Sequence, residues 1–163
     1  MRAARSGLDP ADVVGDWEDP ESSLRDVSIP VRPDDPDVVA FGQKMVDSLG
    51  PLWAVGLAAP QVAVGRRMFA ASVNGEQRAF INPKLVDWSE DELYTGSAEG
   101  CLSIEGESAT VSRPAWISVE FDTPEGDHIT DYELENFDAK VFLHEYDHLN
   151  GILMTDREEL NTP

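Results

Sequence analysis

Apolar residues recur at helical spacing in DDPDVVAFGQKMVDSLGP, where Val38, Phe41, Met45 and Leu49 fall on one face. Asp35 can cap this helix, Pro36 suits its first position, and Gly50 and Pro51 stop it. Beyond residue 65 the period shortens to two. MFAASVNGEQRAFINP gives two strand-like runs about an Asn74-Gly75 turn, a hairpin signal, and further strand is expected from Lys84 to Trp88 and from Ala109 to Val111. In AWISVEFDTPEGDHITDYEL, Trp116, Ser118 and Glu120 alternate with Ile117, Val119 and Phe121 into a Pro124-Glu125-Gly126 turn, a second hairpin. From Asn136, read as an N-cap, FDAKVFLHEYDHLN is apolar on most faces and runs to a C-cap at Gly151. Such a helix belongs at the centre of the fold, with strands around it. Residues 1–30 show no periodicity and read as an acidic, partly mobile arm lying over a domain of residues 31–163.

The central helix also carries polar residues that an apolar environment does not favour. HEYDH, residues 144 to 148, fits H-E-x-x-H: His144 and His148 lie four apart on one helical face and can grip one divalent ion, with Glu145 in reach of a bound water. Burying two imidazoles and a carboxylate gains nothing unless they are paired or liganded. A hydrolytic centre usually takes three protein ligands. The position that supplies the third in the longer zinc-protease motif holds Met154, and too little chain follows His148 for a more distant glutamate. The third ligand is therefore expected upstream, from Cys101 or His128. His128 follows a polar PEGD turn and reads as an exposed strand start, which leaves Cys101, in AEGCLSIE, as the favoured partner.

Composition narrows the classes of function. At 163 residues and 41% apolar, the chain is long enough for a single sizeable core. A formal net charge of −20 argues against nucleic acid as a partner. The single cysteine cannot close an internal disulfide, and no apolar run reaches membrane-spanning length, so a reduced, cytoplasmic setting without membrane insertion is expected.

Three segments in order, VGLAAPQ at 55–61, EGCLS at 99–103 and HEYDHLNG at 144–151, resemble the peptide deformylases over about residues 36–156. The resemblance implies an α+β fold, antiparallel β-sheets packed around a central metal-binding helix. It implies that Cys101, His144 and His148 bind one divalent metal, typically ferrous iron, with zinc, nickel or cobalt able to occupy the site. Glu145 would move protons between water and the leaving amine, and the oxyanion would be met by the Gln61 amide and the Leu102 backbone N–H. The substrate would be an N-formylmethionyl peptide or nascent-chain N-terminus. It would lie extended between Val55-Gly56 and the strand leading to Glu99, its methionine against Phe137 and Val141. Glu99 would be buried near the metal, with Arg113 as its partner. A monomer is expected.

The chain departs from the family pattern at several positions. Ala54 replaces a glycine ahead of the first motif, Leu143 replaces a glutamine before the first histidine, and Ser108 replaces an arginine that touches substrate. The long basic tail helix of some members is not expected after Asp156. Two alternatives follow: a metal amidase acting on another N-formyl or N-acyl compound, and a deformylase-like binding protein without activity.

Overall fold

In the computed structural model, residues 7–158 are described; residues 1–6 of the expected arm and 159–163 of the expected domain lie outside the described residues. Helix α1, Pro36–Ser48, begins as its sequence predicts, with the Asp35 side chain accepting from the Asp37 N–H and Pro36 in the first turn. It is followed by a short strand, β1 (Gly56–Ala58), and the hairpin β2 (Met68–Val73) and β3 (Glu76–Trp88), which turns at Asn74-Gly75, both in left-handed backbone. A small pair, β4 (Leu93–Tyr94) and β5 (Arg113–Pro114), stands apart from the main sheet. The second hairpin is β6 (Trp116–Asp122) with β7 (His128–Glu135), leading into helix α2, Asn136–Leu149.

The main sheet is antiparallel in the order β1-β2-β3-β6-β7. Alternation along β2 explains how one sheet serves two helices. Met68 and Ala70 face α1, joining Val38, Met45, Leu49, Leu57 and Ile81; Phe69, Ala71 and Val73 face α2, joining Phe80, Phe121, Ala139 and Phe142. With both faces covered, β2 is buried almost throughout and reads as a continuous apolar run. The α2 side is an aromatic cluster: Phe69 stacks on Phe80 at 5.0 Å and meets Phe142 edge-on at 5.1 Å.

Three local expectations change. The runs expected as separate strands at 76–83 and 84–88 form one strand, β3, with an irregularity between Ile81 and Lys84. Pro83 cannot donate to the ladder, and Asn82 there has φ +47, its side chain bonding both backbone groups of Val31. The segment 109–111 forms a single bridge, Glu99 to Ala109, and no strand. At α2 the N-cap is Glu135; Asn136 lies one position inside, with φ +50 and its N–H donated to the Ala115 carbonyl at 2.8 Å.

The N-terminal segment is docked. Leu24 is fully buried in a third cluster with Ile104, Ala109, Val111, Leu153 and Met154, against which Val14, Trp17 and Cys101 pack. Gly151, just past the end of α2, has φ +70, and a Cβ there would fall 2.3 Å from the Arg25 carbonyl oxygen. The described arm residues therefore close over the end of the helix that carries HEYDH.

Candidate active site

Helix α2 enters the protein interior with ten of its fourteen residues buried, among them His144, Glu145, Asp147 and His148. The spacing of four brings both imidazoles to one side, ring centroids 5.1 Å apart. Cys101 reaches them from a loop that turns back on itself, the Ile104 N–H donating to the Cys101 carbonyl at 3.0 Å. Its Sγ lies 3.4 Å from His148 Nε2, and the ligand atoms of Cys101, His144 and His148 all fall within 4.8 Å of one another. A sulfur about 2.3 Å and a nitrogen about 2.1 Å from a shared tetrahedral ion would stand about 3.6 Å apart, so the observed spacing suits a common ion. Among the described residues, this is the set of thiol, imidazole and carboxylate groups able to close on one cation.

The remaining atoms of the cluster support that fit. His144 Nδ1 bonds Glu99 Oε1 at 2.8 Å, the arrangement that directs Nε2 toward a metal. Glu99 is held in turn by Arg113, Nε to Oε2 at 2.7 Å and Nη2 to Oε1 at 2.9 Å. Arg113 Nη1 continues to Asp147 at 2.9 Å, and Arg157 closes the far side of Asp147 at 2.5 and 3.0 Å. Burial alone would push the Glu99 carboxyl up, but Arg113 and His144 outweigh it and hold it at about 2. For His144, burial is likewise outweighed by Cys101, Glu99 and Glu145, which push it up to about 10. An ion at this site therefore displaces a proton, and its affinity falls as the pH falls.

Glu145 stands beside this network and meets it only through a long ion contact, Oε1 to His144 Nε2 at 3.9 Å. Burial pushes its carboxyl up to about 7, and its Oε2 is buried without a hydrogen-bond partner in the protein. Gly56 makes room for it: a Cβ on Gly56 would lie 2.7 Å from Glu145 Oε1. Gln61 is 1% exposed and fixed at both ends, Oε1 accepting from the Ala58 N–H at 3.0 Å and Nε2 donating to Ser103 Oγ at 3.2 Å and Cys101 Sγ at 3.5 Å. Among the described residues no acceptor takes the Leu102 N–H.

Gln61, Cys101, Leu102, His144 and Glu145 line one wall of a cavity of about 750 Å³, whose other walls include Val55, Gly56, Phe137 and Val141. Glu99, expected as a substrate contact, lines the same cavity. Both its carboxylate oxygens are committed to Arg113 and His144, and its backbone N–H and C=O pair with Ala109. It borders the cavity but orients His144. Its pairing with Arg113 is as expected. His128 is exposed, bonded to Asp122 at 2.7 Å and remote from the cluster. Leu143 turns into the apolar core with Phe142.

Sequence reasoning overlooked Lys140 and Asp147. Lys140 is 3% exposed and donates to the carbonyls of Thr95, Ser97 and Val111, pinning the segment that leads to Glu99. The available signal was the same for both: a charged residue inside a helix that is otherwise buried must have a partner.

Comparison with known proteins supplies the family context. The family described as polypeptide deformylase matches residues 16–162, twenty residues further toward the N-terminus than the motif-based resemblance reaches. A peptide deformylase of Rhizobium meliloti is 40% identical over 143 residues, spanning 84% of this chain and 80% of the relative. The crystal structure of peptide deformylase from Thermotoga maritima has a TM-score of 0.82 and 33% identity, over 91% of this chain and 97% of that one. A Met-ala-ser bound class I type b peptide deformylase from Acinetobacter baumannii has a TM-score of 0.79 and 26% identity, over 89% and 96%.

Proposed function

The chain belongs to the peptide deformylase family, and from that premise we propose how its residues carry out the family's reaction. It is a metal-dependent hydrolase that removes the N-formyl group from nascent peptides, releasing formate. Cys101, His144 and His148 are assigned as the metal ligands, with ferrous iron as the resident ion and zinc, nickel or cobalt as substitutes. When bound, the ion supplies Lewis acidity to water and to the formyl oxygen.

Glu145 takes a proton from the attacking water and delivers it to the departing nitrogen. A carboxyl at about 7 accepts and returns a proton with comparable ease near neutral pH, which an ordinary surface glutamate does not. As the formyl carbon becomes tetrahedral, the negative charge on its oxygen is met by the Gln61 Nε2–H and the Leu102 N–H. The Gln61 amide is held in place by Ala58 and Ser103, and the Nε2–H that meets Cys101 Sγ at a long 3.5 Å is the one that turns to the oxygen. The peptide runs along the outer edge of β1, where among the described residues no second strand pairs and the Ala58 N–H alone is taken, by Gln61 Oε1. Phe137 and Val141 receive the methionine side chain.

The reading places the protein in the cytoplasm as a monomer, with residues up to 30 as an arm on the catalytic domain. No helix among the described residues is long and apolar enough to cross a membrane, and the charge of −20 opposes binding to a phosphate backbone.

The observation that carries the reading is the convergence of Cys101, His144 and His148 beside buried Glu145, whose Oε2 has no hydrogen-bond partner among the described residues, with Cys101, His144 and Glu145 lining one cavity. Formate release from formyl-Met-Ala-Ser, measured beside a panel of other N-acyl amines, tests it. Selective turnover of the methionyl peptide is expected, and equal or better turnover of a non-methionyl amine would contradict it.

A further inference from the structure

Trp53 occupies a place that stability alone does not favour. Its side chain is 94% exposed, and its backbone has φ +55, a region that residues bearing a Cβ avoid. Its neighbours hold it there: Leu52 is buried, the Trp53 N–H donates to the Gly50 carbonyl at 3.0 Å, and the Ala54 N–H donates to the Leu49 carbonyl at 2.9 Å. The indole therefore stands at the border of the cavity that contains His144 and Glu145. It lies two residues before Val55, at the entry to β1.

The N-terminal segment reaches the same cavity. Its Leu8 N–H donates to Ser48 Oγ at 2.8 Å, and its Val14 N–H donates to the Gln61 carbonyl at 2.7 Å. Residues 9–13 thus bridge from the end of α1 to the residue assigned to the oxyanion. Between these ties is a one-turn helix, Pro10–Asp12, closed by reciprocal bonds: the Ala11 N–H to Asp9 Oδ1 at 2.9 Å and the Asp9 N–H to Asp12 Oδ2 at 2.8 Å. The result sets Pro10 and Val13 into the cavity lining, in a stretch that precedes the family match beginning at residue 16.

We propose that Trp53, Pro10 and Val13 form an apolar clamp on the peptide residues that follow the formylated methionine, making this chain selective for longer substrates with apolar second and third residues. This rests on the deformylase reading. An extended peptide advances about 3.3 Å per residue, so residues beyond the methionine leave the methionine pocket and run on toward this rim. Pro10 and Val13 give the clamp a fixed side, because both ends of their segment are hydrogen-bonded; Trp53 gives it an exposed face that gains by being covered.

The test compares kcat/KM for formate release from formyl-Met-Ala-Leu amide and from formyl-Met amide, in wild type, Trp53→Gly and Val13→Ser. Wild type is expected to prefer the longer peptide. Trp53→Gly removes the ring and relieves the backbone, and should lower that preference about tenfold, with Val13→Ser lowering it roughly threefold. An unchanged preference in both variants would overturn the clamp, as would a lower melting temperature for Trp53→Gly, which would assign the ring to folding. Calorimetric binding of the product Met-Ala-Leu gives a readout independent of catalysis, with the same variants expected to weaken it. If no formylated peptide yields formate, the deformylase reading fails, while length-dependent product binding that the variants weaken still supports the clamp. No binding of the tripeptide to wild type overturns it.

Discussion

The cavity has two kinds of wall. On the α2 side, Glu99 and His144 line the cavity and Arg113 and Asp147 stand behind them; the four are buried and pair through four hydrogen bonds, so their positions are fixed before any ligand arrives. On the rim, Trp53, Val55, Leu102 and Phe137 are large, apolar and exposed. The first wall is placed by electrostatics that cannot be left unpaired; the second leaves its area to be covered by a ligand. Chemistry is thereby built into the fold, and recognition is left open at its border. Between the walls, Glu145 is as buried as the first, yet its Oε2 has no hydrogen-bond partner among the described residues.

The largest expected effect is on that intermediate residue. Glu145→Gln should lower kcat for formate release by about a thousandfold, within the range of a lost general acid–base group, while metal content by plasma emission stays at the wild-type level. Loss of the metal together with the rate would instead make Glu145 a structural member of the first wall.

Arg113→Ala breaks the paired wall directly. It takes the two-pronged partner from buried Glu99, which keeps only His144 and a long contact to Lys140, while Asp147 keeps Arg157; the loss should cost about 3 kcal/mol in urea unfolding, with metal affinity falling by about tenfold or more as His144 loses its orientation. Intact folding and metal retention would show that the pairing is ornamental.

Acid should dismantle the same wall. Glu99 is held at about 2 when folded, against the ordinary 4.5, so its contribution is fully present above about pH 4.5 and is lost as the pH falls toward 2. The size is of order 3 kcal/mol. Melting temperatures from pH 6 down to pH 3 should fall more steeply in wild type than in Glu99→Gln, and parallel curves would contradict the assignment.

The Cys101, His144 and His148 set was legible in the sequence because it is local or chemically demanding. A spacing of four on a helix puts His144 and His148 together whatever surrounds them, and an incomplete ligand set makes a lone cysteine informative. The helix at 36–48 and both hairpins were equally legible, since Asp35-Pro36, Asn74-Gly75 and the alternation in β6 act over a few residues. What stayed hidden depends on contacts distant in sequence. Lys140 meets carbonyls more than 25 residues away, Asn82 bonds Val31 across the molecule, and Leu24 is buried by residues from the Cys101 loop and the chain's far end. No local pattern marks those partners, which is why residues 7–30 read as a loose arm.

The smallest expected change in stability belongs to the rim. Phe137, 46% exposed, should tolerate Phe137→Ala within about 1 kcal/mol in urea unfolding, yet KM for a formylmethionyl peptide should rise several-fold. A large loss of stability with unchanged KM would place Phe137 in the core and erase the contrast between the walls.

The central claim is that Cys101 completes a metal site with His144 and His148. Metal analysis of anaerobically purified protein, wild type beside Cys101→Ala and with formate release measured on the same samples, tests it most directly. The account predicts close to one divalent ion per wild-type chain, with both metal and activity lost in the variant; full metal occupancy in Cys101→Ala would contradict it.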